Sequence, residues 1–177
     1  MKLDVPYYSQ HRDIKDANWQ KRACGLVCLK MVLDFHKIKA PDINEFLKLS
    51  LEKEAYHQTN GWIHDKLLEI AESFGVKVSR KENMESEEKL KSFLDKDCPV
   101  IVSIKNKRFS PKFGNKFHQI VLTGYDEKGF FYNDSDYQNE DSKPTIEQGG
   151  KNLFVSFKKF QRYWRKMAIF VSKMVEN

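Results

Sequence analysis

Residues 23–35 read Ala23-Cys24-Gly25-Leu26-Val27-Cys28-Leu29-Lys30-Met31-Val32-Leu33-Asp34-Phe35. Apolar side chains fall on nearly every helical face, and only Lys30 and Asp34 are charged. A helix that is apolar almost all round belongs in the middle of a protein, so the remaining chain has to enclose it. Cys24 stands at or near the first turn. Backbone N–H groups there lack intrahelical partners, and the helix dipole is positive at that end. Both favour a thiolate, the nucleophilic form of cysteine. Gly25 lets another chain, or a substrate backbone, come close.

Around this helix the first half of the chain reads as helical. Residues 1–10 form an extended lead-in, since Val5-Pro6 disfavours helix, and residues 11–23 are polar and irregular. Asp42 or Asn44 starts a second helix through about Leu51. Trp62, Leu67, Leu68, Ile70, Ala71 and Phe74 are spaced for a third, stopped by Gly75. Ser86, followed by Glu87 and Glu88, is a cap for a fourth that ends near Asp95.

In the second half the period changes. Pro99-Val100-Ile101-Val102-Ser103-Ile104 is a β-branched apolar run, hence a buried strand. Phe117 through Tyr125 is another. Glu127-Lys128-Gly129 turns the chain, and Phe130-Phe131-Tyr132 begins the return strand of a hairpin. Residues 134–150 form a long polar loop. Ser156 caps a short helix to Trp164, and Met167 through Val171 is a last strand. Helices first and antiparallel strands after indicate an α+β fold, a buried central helix packed on a C-terminal antiparallel sheet.

The 177 residues favour a single domain, 1–177, large enough for a core without disulfides or a structural metal. Lys and Arg number 31 against 25 Asp and Glu, a net charge of +6, which permits an anionic partner without demanding one. No run of about 18 apolar residues spans a membrane. No signal peptide is visible at the N-terminus, so cytoplasmic is the default expectation, with a secreted mature form as the other. Three cysteines are too few for a disulfide scaffold.

Three residues complete a nucleophilic set with Cys24. His118 opens a buried strand and shares a face with Ile120 and Leu122, so its imidazole borders the core. Asp134 follows the return strand and can accept from the imidazole and fix its tautomer. Asp126 and Asp136 are rivals for that place. Gln10 or Gln20 can supply an amide N–H to an oxyanion. Cys with His and an orienting acid makes acyl transfer possible.

Val5-Pro6-Tyr7-Tyr8-Ser9-Gln10, then Trp19, then Ala23 through Leu33, resembles the opening of the peptidase C39-like family. These are papain-like cysteine peptidases related to double-glycine leader peptidases. The likeness continues through Asn60-Gly61-Trp62, Cys98 through Val102, His118 through Tyr125, and Asn133-Asp134. It implies a papain-like fold and hydrolysis of a peptide or isopeptide bond. By the same resemblance Cys24 is the nucleophile, His118 the base, Asp134 the orienting residue, and Gln10 the oxyanion-hole glutamine. No metal or organic cofactor is implied. The chain departs from the family at Phe117, where glycine is common, and at Ser135, where proline is common. Neither change removes a reacting group, but both motivate a second reading, a non-catalytic peptide-binding module.

Cys28, one turn from Cys24, reads as a small core residue rather than a metal ligand with His36 or His57. Cys98 reads as buried at a strand entry. Two basic runs contain no acid: five Lys and Arg in residues 105–116, with Phe109 and Phe113, and six in residues 151–166, with five aromatics. The first reads as a solvated loop or as a cleft rim beside His118 that meets an acidic peptide or protein substrate. The aromatics of the second fit core positions. An anion- or nucleic-acid-binding protein is a third reading, but no recognised nucleic-acid module accompanies these runs.

Overall fold

The computed structural model describes residues 2–59, 61–106, 109–110, 117–137 and 149–173. Helix α1 (Cys24–Phe35) is buried from Gly25 to Leu33. It buries even Lys30, whose ammonium lies 2.5 Å from Asp34 Oδ1. Tyr8 donates its hydroxyl to the other oxygen of Asp34 at 2.6 Å. A charged pair with its remaining lone pairs engaged is tolerated in a core that would reject a lone ammonium.

Helix α2 (Ile43–Glu52) starts where expected: Asp42 is its N-cap and accepts from the amides of Asn44 and Glu45. A small hairpin follows, β1 (Tyr56–His57) and β2 (Gly61–Trp62), then α3 (His64–Glu72). Trp62 therefore belongs to the hairpin and not to the third helix. Strand β3 (Val76–Lys81) has only Val76 fully buried. Its polar sequence gives no period-two signal, and the sequence did not reveal it. Helix α4 (Glu88–Leu94) is preceded by Glu87, which makes no side-chain cap bond, so Ser86 does not cap it.

The strands β4 (Val100–Ile104), β5 (His118–Tyr125), β6 (Gly129–Asn133), β7 (Leu153–Ser156) and β8 (Trp164–Lys173) complete the sheet, with α5 (Phe157–Tyr163) before β8. Ser156 caps α5 through the Lys159 amide. The order is β3-β8-β4-β5-β6-β7, and every pairing is antiparallel. Strand β4 is buried at every position, so both of its faces are covered. Alternation along β8 shows how. Ile169 lines a small cavity together with Leu67 and Leu68 of α3 and Leu29 of α1, while the ring of its neighbour Phe170 packs tilted against Phe93 of α4, 4.1 Å between centres. Helices α1 and α3 thus lie on one face and α4 on the other.

An aromatic cluster of Phe130, Phe160, Phe109 and Trp164 fills the far end. Phe109 is only 2% exposed, so it belongs to the core and not to a cleft rim. Lys105 of that first basic run is exposed, and Lys107, Arg108, Lys112, Phe113 and Lys116 lie outside the described residues. Phe154 is 46% exposed on β7, unlike the other aromatics of the second run. Among the described residues no helix is long and apolar enough to cross a membrane.

At Gly129 a Cβ would sit 2.1 Å from the Val155 carbonyl oxygen, backbone against backbone. Gly129→Ala is expected to destabilise the chain by about 1–3 kcal/mol through overpacking, read as a lower urea midpoint at unchanged slope.

Candidate active site

Cys24 is the first residue of α1, and Ala23 before it makes no side-chain cap bond. No acidic residue stands in the first turn, so nothing there offsets the positive helix end. The side chain is half-buried at the floor of a cleft of about 360 Å³ that His118, Gly25, Gln119, Trp62 and Arg165 also line. The other two cysteines are unsuited to nucleophilic work. Cys28 is wholly buried, its Sγ donates to the Gln119 carbonyl at 3.4 Å, and burial pushes its thiol well up. Cys98 is half-buried, not buried as expected, and burial together with Asp97 raises its thiol too.

His118 begins β5 and is 1% exposed. Its Nε2 lies 2.6 Å from Asp134 Oδ1. The other nitrogen, Nδ1, is buried as well, and Cys24 interacts with this same imidazole. Burial alone would lower this imidazole's pKa. The charge and hydrogen bond of Asp134, helped by Cys24, outweigh it and push the value up to about 10. Imidazolium is thus the favoured form at neutral pH.

Asp134 is fixed from several directions. Its Oδ1 also accepts the Asp136 amide at 2.9 Å, its own amide donates to the Gly150 carbonyl at 2.8 Å, and Tyr7 donates its hydroxyl to the Asp134 carbonyl at 3.1 Å. A Cβ at Gly150 would fall 2.0 Å from that carbonyl oxygen, so this close approach needs glycine. The rival acids are engaged elsewhere. Asp126 caps the hairpin turn, accepting from the amides of Lys128 and Gly129. Asp136 pairs with His11 Nε2 at 2.5 Å.

Gln10 is 1% exposed and is not among the residues lining the cleft. Its amide donates to the Ser135 carbonyl, and Ser135 Oγ donates to its Oε1 at 3.0 Å, which leaves the carboxamide nitrogen as the donor end. Ser135 therefore ties Gln10 to the loop holding Asp134. Gln20 instead donates to the Ile14 carbonyl at 2.9 Å inside its own loop.

Sequence reasoning missed Gln119 and His64. Gln119 Nε2 lies 3.1 Å from His64 Nε2, and a Cβ on Gly25 would meet Gln119 Oε1 at 2.8 Å. A glutamine in a strand that is buried at nearly every position was the available signal. His36 and His57, weighed above as metal partners, bond the Val171 carbonyl and Thr59 respectively.

Folding raises the His118 pKa from 6.5 to about 10, so the folded state holds a proton that the unfolded state releases. The resulting stability is complete below pH 6.5 and is lost as pH rises through about 10. Thermal unfolding of wild type and Asp134→Asn across this window checks the cause: the wild-type Tm is expected to fall by a few degrees more than the variant's.

The profile of the Peptidase_C39 like family matches residues 2–169. Three solved structures share the fold. A double glycine motif protease from an AMS/PCAT transporter, solved with its leader peptide, has a TM-score of 0.64 at 19% identity, covering 98% of this chain and 94% of that one. A Bacillus anthracis chain assigned as a C39-like peptidase gives 0.67 at 20%, covering 99% and 100%. The peptidase domain of Streptococcus ComA, a bi-functional ABC transporter, gives 0.59 at 21%, covering 87% and 93%. The papain-like α+β fold expected from the sequence is the fold found. No curated protein sequence matches the chain.

Proposed function

From the premise that this chain belongs to the Peptidase_C39 like family, we propose that it is an active cysteine peptidase. Cys24 is its nucleophile, His118 its acid–base and Asp134 its orienting group. The observation that carries the reading is the buried 2.6 Å pair of His118 Nε2 with Asp134 Oδ1, on an imidazole that Cys24 also reaches and helps to hold protonated. This supports a division of labour between the two ring nitrogens. Asp134 holds Nε2–H, and Nδ1 exchanges its proton with sulfur.

The reaction then has two halves. The sulfur, as thiolate, attacks the carbonyl carbon of a peptide bond, and the developing oxyanion lies near the positive end of α1. The Cys24 amide and the Gln10 carboxamide are the donors assigned to it. Imidazolium passes its proton to the leaving amine, which departs and leaves a thioester on Cys24. Neutral imidazole next takes a proton from water, hydroxide attacks the thioester, and the acid leaves with the thiolate restored. The substrate is a peptide or protein segment that enters the cleft in extended form. A leader peptide is bound by one structural neighbour, which supports that choice.

Cys24→Ala is expected to lower hydrolysis of a peptide library by about 10⁴-fold or more, with the unfolding midpoint held. Iodoacetamide at neutral pH should label Cys24 ahead of Cys28 and Cys98, scored by peptide mass mapping. Labelling of the other two with Cys24 untouched would remove the nucleophile assignment. Selective labelling with no cleavage of any peptide would favour the binding module.

Gln10→Ala should reduce kcat by about 10²-fold, whereas Gln20→Ala should leave it within a few-fold. The reverse order would move the oxyanion donor to Gln20.

A further inference from the structure

We infer that Arg165 selects the substrate, its guanidinium binding a peptide carboxylate, that of an acidic residue close to the bond cut at Cys24. The inference rests on the peptidase reading above and names the class of peptide it would take.

The cleft has a one-sided charge. Lys21, Arg22 and Arg165 line it, and no carboxylate does among the described residues. The acids nearest its His64 wall are already matched: Arg80 lies 3.2 Å from Asp65 and 3.6 Å from Glu82. Arg165 itself forms no ion pair among the described residues. It is held instead by two neutral groups. Its guanidinium carbon lies 3.4 Å from the centre of the Phe117 ring, and Nη1 donates to Ser103 Oγ at 3.3 Å.

This is a presented cation rather than a loose one. Stacking on an aromatic face fixes the guanidinium plane, and one bond at its edge fixes its rotation about that plane. The other N–H groups stay available in the fork that matches a carboxylate. Phe117 is 65% exposed, which for a phenylalanine in the mouth of a polar cleft calls for a purpose, and the stacked arginine supplies one.

Position ties the group to the chemistry. Phe117 adjoins His118 in the chain. Ser103 stands opposite Gln119 in the β4–β5 register, and the Gln119 side chain lies against Gly25, next to Cys24. The positive charge of Arg165 also reaches His64 across the cleft and helps to lower its pKa, after the larger effects of burial and Arg80. A carboxylate bound at Arg165 would thus lie in the same cleft as the scissile bond.

The test uses libraries of short peptides with each position fixed in turn as Glu, Gln or Lys, acetylated at one end and amidated at the other. They are incubated with wild type, Arg165→Gln and Arg165→Glu, and cleavage is read by mass spectrometry. At one position near the cut, Glu is expected to exceed Gln by at least ten-fold in kcat/KM. Arg165→Gln should bring the two level, and Arg165→Glu should turn the preference toward Lys. Matching pools with a free C-terminal carboxylate separate the two sources. A preference confined to them, and lost in Arg165→Gln, supports the carboxylate site and assigns it to a chain end. Equal cleavage of Glu and Gln pools by wild type, or a preference that survives Arg165→Gln, overturns the inference and leaves the peptidase reading standing. If no pool is cleaved while iodoacetamide still labels Cys24, the pools are scored by how far they slow that labelling, under the same criteria. Unchanged thermal unfolding of both variants shows that the exposed site tolerates them.

Discussion

A helix with apolar side chains on nearly every face has to be surrounded, and this requirement organises the molecule. α1 packs against β5, α2, α3 and β4. Its single lysine is accepted only because Asp34 and Tyr8 travel inward with it. Enclosure leaves one place where α1 meets the cleft, its amino end. There the unpaired amides and positive dipole of a buried helix coincide with a half-buried cysteine. The location of Cys24 is thus a consequence of how the core closes.

The second half of the candidate site comes from the β5–β6 hairpin, where an ionisable pair is buried. His118 and Asp134 are each 1% exposed. Burying such a pair costs desolvation that well-placed hydrogen bonds only offset, and an apolar pair of similar size often serves a core as well or better. Here the Asp136 amide and the Tyr7 hydroxyl donate to Asp134, whose own amide donates to the Gly150 carbonyl, and Cys24 interacts with the histidine.

Much of this was legible in the sequence because it depends on local pattern. The almost wholly apolar run from Gly25 to Leu33, the β-branched stretch at Val100 to Ile104 and the hairpin turn before Phe130 each declare their element within a few residues. Asp126 could also have been set aside on pattern, since an aspartate two residues before Lys128-Gly129 reads as the cap of its own turn. Other features depend on distant pairings. β3 is an edge strand with a polar sequence, and it is a strand because β8 lies beside it. Ser135 gained a purpose only when the lead-in brought Gln10 to it. Arg165 looked like one cation in a run of six, and became distinctive because β8 places it beside Ser103 and Phe117.

The central claim is that Cys24 and His118 work as one ionising pair held by Asp134. The most direct measurement is the rate of Cys24 alkylation by iodoacetamide as a function of pH, in wild type and in His118→Ala. A paired thiolate gives a rate that is already substantial near neutral pH in the wild type, while His118→Ala moves the rise toward the range of an ordinary thiol, about 8.5. If the two profiles superimpose, with both rising as a free cysteine does, Cys24 is not activated by His118 and the account fails.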